Sequence, residues 1–153
     1  MAKPKTPCIG ICSTTSLGDF VCRGCKRYAF EVIQWNSYDS TEKLSVLSRI
    51  EKLTCQVLQD KFRIFSVLNL QAGLEQLAIP YDPSLSPYCW LHNLLKKGHP
   101  RIEHLDEYGV SIAGQYSHLP LPDLAERVEQ DLLELVDAHH ARYYAAKVTA
   151  DSA

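Results

Sequence analysis

Four of the six cysteines lie in the first 25 residues, as Cys8, Cys12, Cys22 and Cys25, in the spacing C-x3-C-x9-C-x2-C. A segment this short cannot bury enough apolar surface to offset its chain entropy, so it needs a cross-link to fold. Two cross-links are chemically open. Four soft thiolates can close tetrahedrally on zinc or hold an iron–sulfur cluster. The same four can form two disulfides in an exported protein, but Met1–Pro7 (MAKPKTP) has no apolar stretch of the kind an export signal carries. A reduced, cytoplasmic chain with two closely spaced cysteine pairs is therefore the expectation, and in such a chain the pairs point to a metal. Cys8, Cys12, Cys22 and Cys25 are the candidate ligands of one centre. Zinc and iron–sulfur both remain open at this point.

The residues between the pairs suit such a centre. Pro7 fixes the backbone before Cys8, and Thr14 to Asp19 is a turn cluster that can fold the chain back, with Phe20 and Val21 returning as a strand. After Cys22-Arg23-Gly24-Cys25, the residues Tyr28, Val32 and Trp35, with Ala29 and Ile33, recur at helical spacing. Cys25 is thus expected near a helix N-terminus, where free N–H groups and the positive helix end favour a thiolate. A knuckle, a short hairpin and a knuckle leading into a helix make a treble-clef-like layout. Trp35 is the expected apolar anchor between the knuckle and the following helix. Glu31 and Arg27 are spaced for a surface ion pair.

The rest of the chain reads as mostly helical. Asp39-Ser40-Thr41-Glu42 has capping-box spacing, and Leu44, Leu47, Ile50, Leu53, Val57 and Leu58 trace an apolar stripe behind it. Phe62–Leu70 fits either a short strand or more helix. Ala72–Ile79 and Tyr88–Leu95 read as helices, the second stopped by Gly98 and Pro100. Arg101–Ser117 is weakly patterned, broken at Gly109 and Gly114. Pro122 and Asp123 open a long final helix to about Tyr144. The expected fold is mainly α: a cysteine-rich, metal-stapled module over residues 1–37, a helical body over 38–147 with room for a short strand near 62–67, and a frayed tail over 148–153.

The run PCIGIC, then CRGCKR, then Glu31, Ile33 and Trp35 and an amphipathic helix resembles the YdhL-like bacterial family, over about residues 6–55. That family is a domain of unknown function whose members are predicted iron–sulfur proteins. The resemblance implies a metal centre on Cys8, Cys12, Cys22 and Cys25, and favours iron where the bare knuckle favours zinc. The family's common form has Gly where this chain has Lys26.

Charge adds a second reading. The net charge is −2, yet residues 1–30 carry Lys3, Lys5, Arg23, Lys26 and Arg27 against Asp19 alone, a local +4. Those five cations are the candidate phosphate contacts if the head binds nucleic acid. A protein partner is the other expectation. No apolar run approaches the ~20 residues of a membrane helix, so no membrane role is expected. Nucleotide-binding loops, H-E-x-x-H and serine-nucleophile motifs are missing, which argues against those enzyme classes. An enzyme sited in the body would draw on Cys89, His92 and His104, with His99 nearby. Cys55 reads as a small buried hydrophobe, and His139 and His140 as cations suited to the negative end of the last helix. The leading expectation is a small metalloprotein with a structural, partner-recognition or redox-accessory role.

Overall fold

The computed structural model describes residues 19–142. Cys8 and Cys12, Lys3 and Lys5, most of the Thr14–Asp19 turn and the 148–153 tail lie outside these residues. The described chain is mainly helical, with one two-stranded sheet. It divides into two compact units. One holds the residues up to Ile50 together with those from Leu132 onward; the other is Glu51–Asp131.

The first unit begins with a tight turn. Val21 and Tyr28 form an antiparallel bridge, and the Ala29 N–H donates to the Phe20 carbonyl at 2.7 Å. Inside it the Cys22 N–H donates to the Arg27 carbonyl and the Lys26 N–H to the Cys22 carbonyl, both at 2.8 Å. The returning strand expected at Phe20 and Val21 is thus reduced to one bridge, too short to extend. Helix α1 (Ala29–Gln34) follows, with a 3-10 turn over Trp35–Ser37. Helix α2 (Ser40–Lys61) starts at the expected capping box: the Glu42 N–H donates to Asp39 Oδ1 at 2.7 Å, and the Asp39 N–H to Glu42 Oε1 at 3.2 Å.

The stripe of α2 is rotated at its start. Val46 is buried there while Leu44 is exposed. The expected row is correct from Leu53 through Val57 and Leu58, where Thr54 and Lys61 share the buried face. The ambiguous stretch after α2 resolves into both alternatives. Strand β1 (Phe62–Ile64) comes first, then helix α3 (Val67–Gln76), whose cap Ser66 accepts the Asn69 N–H at 3.2 Å. Helix α3 therefore starts five residues before Ala72 and stops short of Ile79. Its end is a Schellman motif: Ala78 is left-handed at φ +56°, the Ile79 N–H reaches the Leu74 carbonyl at 2.9 Å, and the Ala78 N–H reaches Glu75 at 3.1 Å.

Helix α4 (Pro87–Gly98) opens with Pro87 behind the cap Ser86. Trp90 Nε1 donates to the Asp82 carbonyl at 2.7 Å, which ties the proline-rich loop to this helix. The weakly patterned stretch holds two 3-10 turns (His99–Arg101 and Leu105–Tyr108), strand β2 (Val110–Ile112) and a third turn, Gly114–Tyr116. Strand β2 pairs antiparallel with β1, Phe62 opposite Ile112 and Ile64 opposite Val110. Gly109, at φ +73°, makes this possible: its carbonyl accepts the Phe65 and Ser66 N–H groups at 2.8 and 3.1 Å. Helix α5 (Leu121–His140) ends the described fold. In the second unit Leu58, Phe62, Leu70, Leu74, Leu91, Leu94, Val110, Leu124 and Val128 make the core. Among the described residues no helix is long and apolar enough to cross a membrane.

Candidate metal centre

Cys22 and Cys25 face inward on the turn, 1% and 7% exposed. Two devices hold the turn. One is the pair of backbone bonds across it. The other is Lys26, left-handed at φ +68°. A left-handed conformation costs a non-glycine residue about 1–2 kcal/mol. The buried Lys26 side chain offsets part of that by donating to the carbonyls of Arg23 and, at 3.4 Å, Gly24.

Arg27 is the second buried cation of the turn, and among the described residues its side chain has no carboxylate partner. Its Nε donates to Cys25 Sγ at 3.3 Å, and its guanidinium lies 4.8 Å over the Trp35 ring. Burial pushes the Cys25 thiol up. The Arg27 side chain, backbone N–H and charge pull the other way, and the hydrogen-bonded Cys22 thiol adds to the rise. The two thiols are thus neighbours within hydrogen-bond reach, with a cation and an N–H donor directed at the sulfur. Burial outweighs these donors, so the net direction at Cys25 is upward.

The Glu31–Arg27 surface pair is corrected. Glu31 is buried and takes Arg49 instead, in a fork of two 2.7 Å bonds from Nη1 to Oε2 and from Nη2 to Oε1. Its Oε1 also accepts the Tyr28 N–H at 2.8 Å, capping α1. The Arg49 guanidinium lies 3.8 Å over the fully buried Tyr28 ring, and the Tyr28 hydroxyl meets His139 Nδ1 at 3.2 Å. His140 packs edge-on to Tyr28 with ring centroids 4.8 Å apart. His139 and His140 therefore contact the aromatic core behind the turn as well as closing α5. Trp35 is buried between Arg27 and Lys43, whose Nζ lies 5.7 Å from its ring.

Residues 6–54 match the family model DUF1289, a protein of unknown function. No curated protein and no solved structure matches the chain.

The body's candidate site is not assembled. His92 Nε2 meets Glu129 Oε1, His104 is exposed, and Cys89 Sγ lies 4.0 Å from Cys55 Sγ. Among the described residues no three His, Cys, Asp or Glu side chains are grouped to hold a metal ion. Cys55 is half-buried rather than buried. Of the basic set, Lys26 and Arg27 are buried, and the exposed Arg23 side chain pairs with Asp19 at 3.1 Å. Sequence reasoning missed the Arg27–sulfur contact, the Glu31–Arg49 fork and the Cys55–Cys89 pair. The only signal for the first was an arginine two residues after a cysteine, which also fits a phosphate contact.

Proposed function

We propose that this protein is a metalloprotein whose N-terminal segment holds one metal centre through Cys8, Cys12, Cys22 and Cys25. The observation that carries the reading is Arg27: a buried guanidinium whose polar side-chain contact among the described residues is the sulfur of Cys25. A buried cation is expensive without a counter-charge. A centre closed by four thiolates supplies that charge, whether the ion is zinc or iron in a cluster. The residues on the turn fit such a group: two inward sulfurs, a backbone held by cross-turn bonds, and donors directed at Cys25.

A centre closed by four protein ligands leaves no position open for a substrate. Its roles are to staple the segment for a protein partner or, as an iron–sulfur cluster, to pass one electron. The chain's own residues then act as support. Arg27 balances the thiolate charge, Trp35 screens that charge from water, and Glu31 and Arg49 fix α1 against α2. The iron–sulfur assignment of the resembling YdhL-like family is the finer version of the same proposal.

Metal analysis of protein purified without oxygen tests it. A cluster gives a brown protein with sulfide in proportion to iron; zinc gives a colourless protein with about one ion per chain. In either case Cys22→Ser lowers metal content and speeds hydrogen exchange over residues 20–35. Metal-free wild-type protein with four freely titrating head thiols refutes the proposal.

A further inference from the structure

Cys55 and Cys89 stand 34 residues apart in sequence, yet their sulfurs lie 4.0 Å apart between α2 and α4. The register that brings them together is fixed one turn earlier on both helices. There Glu51 Oε1 accepts the Ser86 N–H, the cap of α4, at 3.0 Å. Cys55 is one turn beyond Glu51, and Cys89 sits in the first turn after Ser86. Both sulfurs belong to half-buried residues, which small oxidants can reach.

We propose that Cys55 and Cys89 are an oxidisable dithiol, a modification site separate from the head cysteines that closes reversibly to a disulfide linking α2 to α4. The sulfurs must approach by about 2 Å to reach bonding distance, a movement within the range of side-chain rotation. With a hydroperoxide as oxidant the chemistry runs in two steps. The Cys55 thiolate attacks the peroxide; an S–O bond forms, the O–O bond breaks, and the leaving hydroxide takes up the thiol's proton as water. Cys89 then attacks the sulfenic acid; the S–S bond forms, the S–O bond breaks, and a second water leaves with the Cys89 proton. Two thiols lose two electrons, and one hydrogen peroxide becomes two waters. The order follows from the surroundings of Cys89. Burial, the neighbouring Cys55 and the Glu51 carboxylate push its thiol up, which disfavours its own attack on peroxide and leaves it as the resolving partner, its proton going to the departing hydroxide.

The test uses the full chain with its native metal content. Reduced protein is treated with hydrogen peroxide, blocked with N-ethylmaleimide and cleaved by trypsin without reduction. The expected product is peptide 53–61 joined to peptide 64–96, a species that a dithiol reductant abolishes. In Cys89→Ser the Cys55 sulfenic acid accumulates and is captured by dimedone. In Cys55→Ser, Cys89 is recovered as its maleimide adduct. Recovery of both wild-type peptides as separate maleimide adducts, under conditions that oxidise an unstructured cysteine peptide, overturns the proposal. So does a cross-link from either cysteine to Cys8, Cys12, Cys22 or Cys25 in its place.

Discussion

Replacing Glu31 by Gln tests the physical account of the N-terminal unit most directly. The substitution keeps the shape of the side chain and an oxygen for the Tyr28 N–H, and removes the charge opposite Arg49. Glu31 and Arg49 side chains are 5% and 15% exposed, so the guanidinium left behind has little water to turn to. Removing one partner of a fully buried pair costs about 3–5 kcal/mol. Here the residual exposure of Arg49, and its position 3.8 Å over the Tyr28 ring, reduce that cost. Cation–π contact at a desolvated site contributes about 2 kcal/mol. The expected loss for Glu31→Gln is therefore about 2–3 kcal/mol, with a further ~1 kcal/mol for Glu31→Ala because the cap on α1 is lost as well. The pairing also predicts non-additivity. Glu31→Gln combined with Arg49→Met should recover more than half of the single-mutant cost, because the desolvated guanidinium is removed along with the carboxylate it faces. Because the chain has two units, the assay should be local: hydrogen exchange resolved by peptide over residues 20–50, in the full chain as purified. A Glu31→Gln protein within 0.5 kcal/mol of wild type, and a coupling near zero, would refute the reasoning.

Three further outcomes follow from the second unit. Ala78→Gly should stabilise it by up to about 1 kcal/mol in urea denaturation, since Ala78 holds a left-handed Schellman position that glycine adopts without strain. Gly109→Ala should cost at least about 2 kcal/mol, because the added Cβ falls 2.2 Å from the Ser66 carbonyl oxygen at φ +73°; a native-like denaturation midpoint would count against the strand pairing. Burial would raise Asp131, but the hydrogen bond and charge of Lys61, with Arg127, hold its carboxyl below the usual range. Its contribution is therefore present above the ordinary carboxylate value near 4 and is lost as pH falls below it, so Asp131→Asn should be less stable than wild type at pH 7 and should lose less on acidification.

The legible parts of this fold are the local ones. The capping box at Asp39 and Glu42 and the opening of α5 at Pro122 and Asp123 each depend on groups within one helical turn, so the sequence carries both partners in one window; Pro87, read as part of the loop, is instead the first residue of α4 behind the cap Ser86. The cysteine spacing is of the same kind. It marks Cys22 and Cys25 as a pair, and the turn brings them together within six residues. The start of α3 was obscured because Phe62–Leu70 (FRIFSVLNL) is a short, mostly apolar stretch in which periodicity does not separate a three-residue strand from a helix. What periodicity could not supply is the choice among distant partners. Glu31 had a cation four residues before it and takes one 18 residues after it instead. That choice follows from burial: a desolvated carboxylate gains most from a forked guanidinium held by packing, and Arg27 is directed to the Cys25 sulfur. Strand β2 exists because β1, some 48 residues earlier, offers it an edge. Cys55 and Cys89 read as two unrelated residues until the packing of α2 on α4 brings them to 4.0 Å. Sequence alone set most of the helices, the cap of α2 and the spacing of the cysteine pair. Which charges are buried together, and which thiols face each other, was decided by tertiary packing, because those energies depend on desolvation and distance that no local window contains.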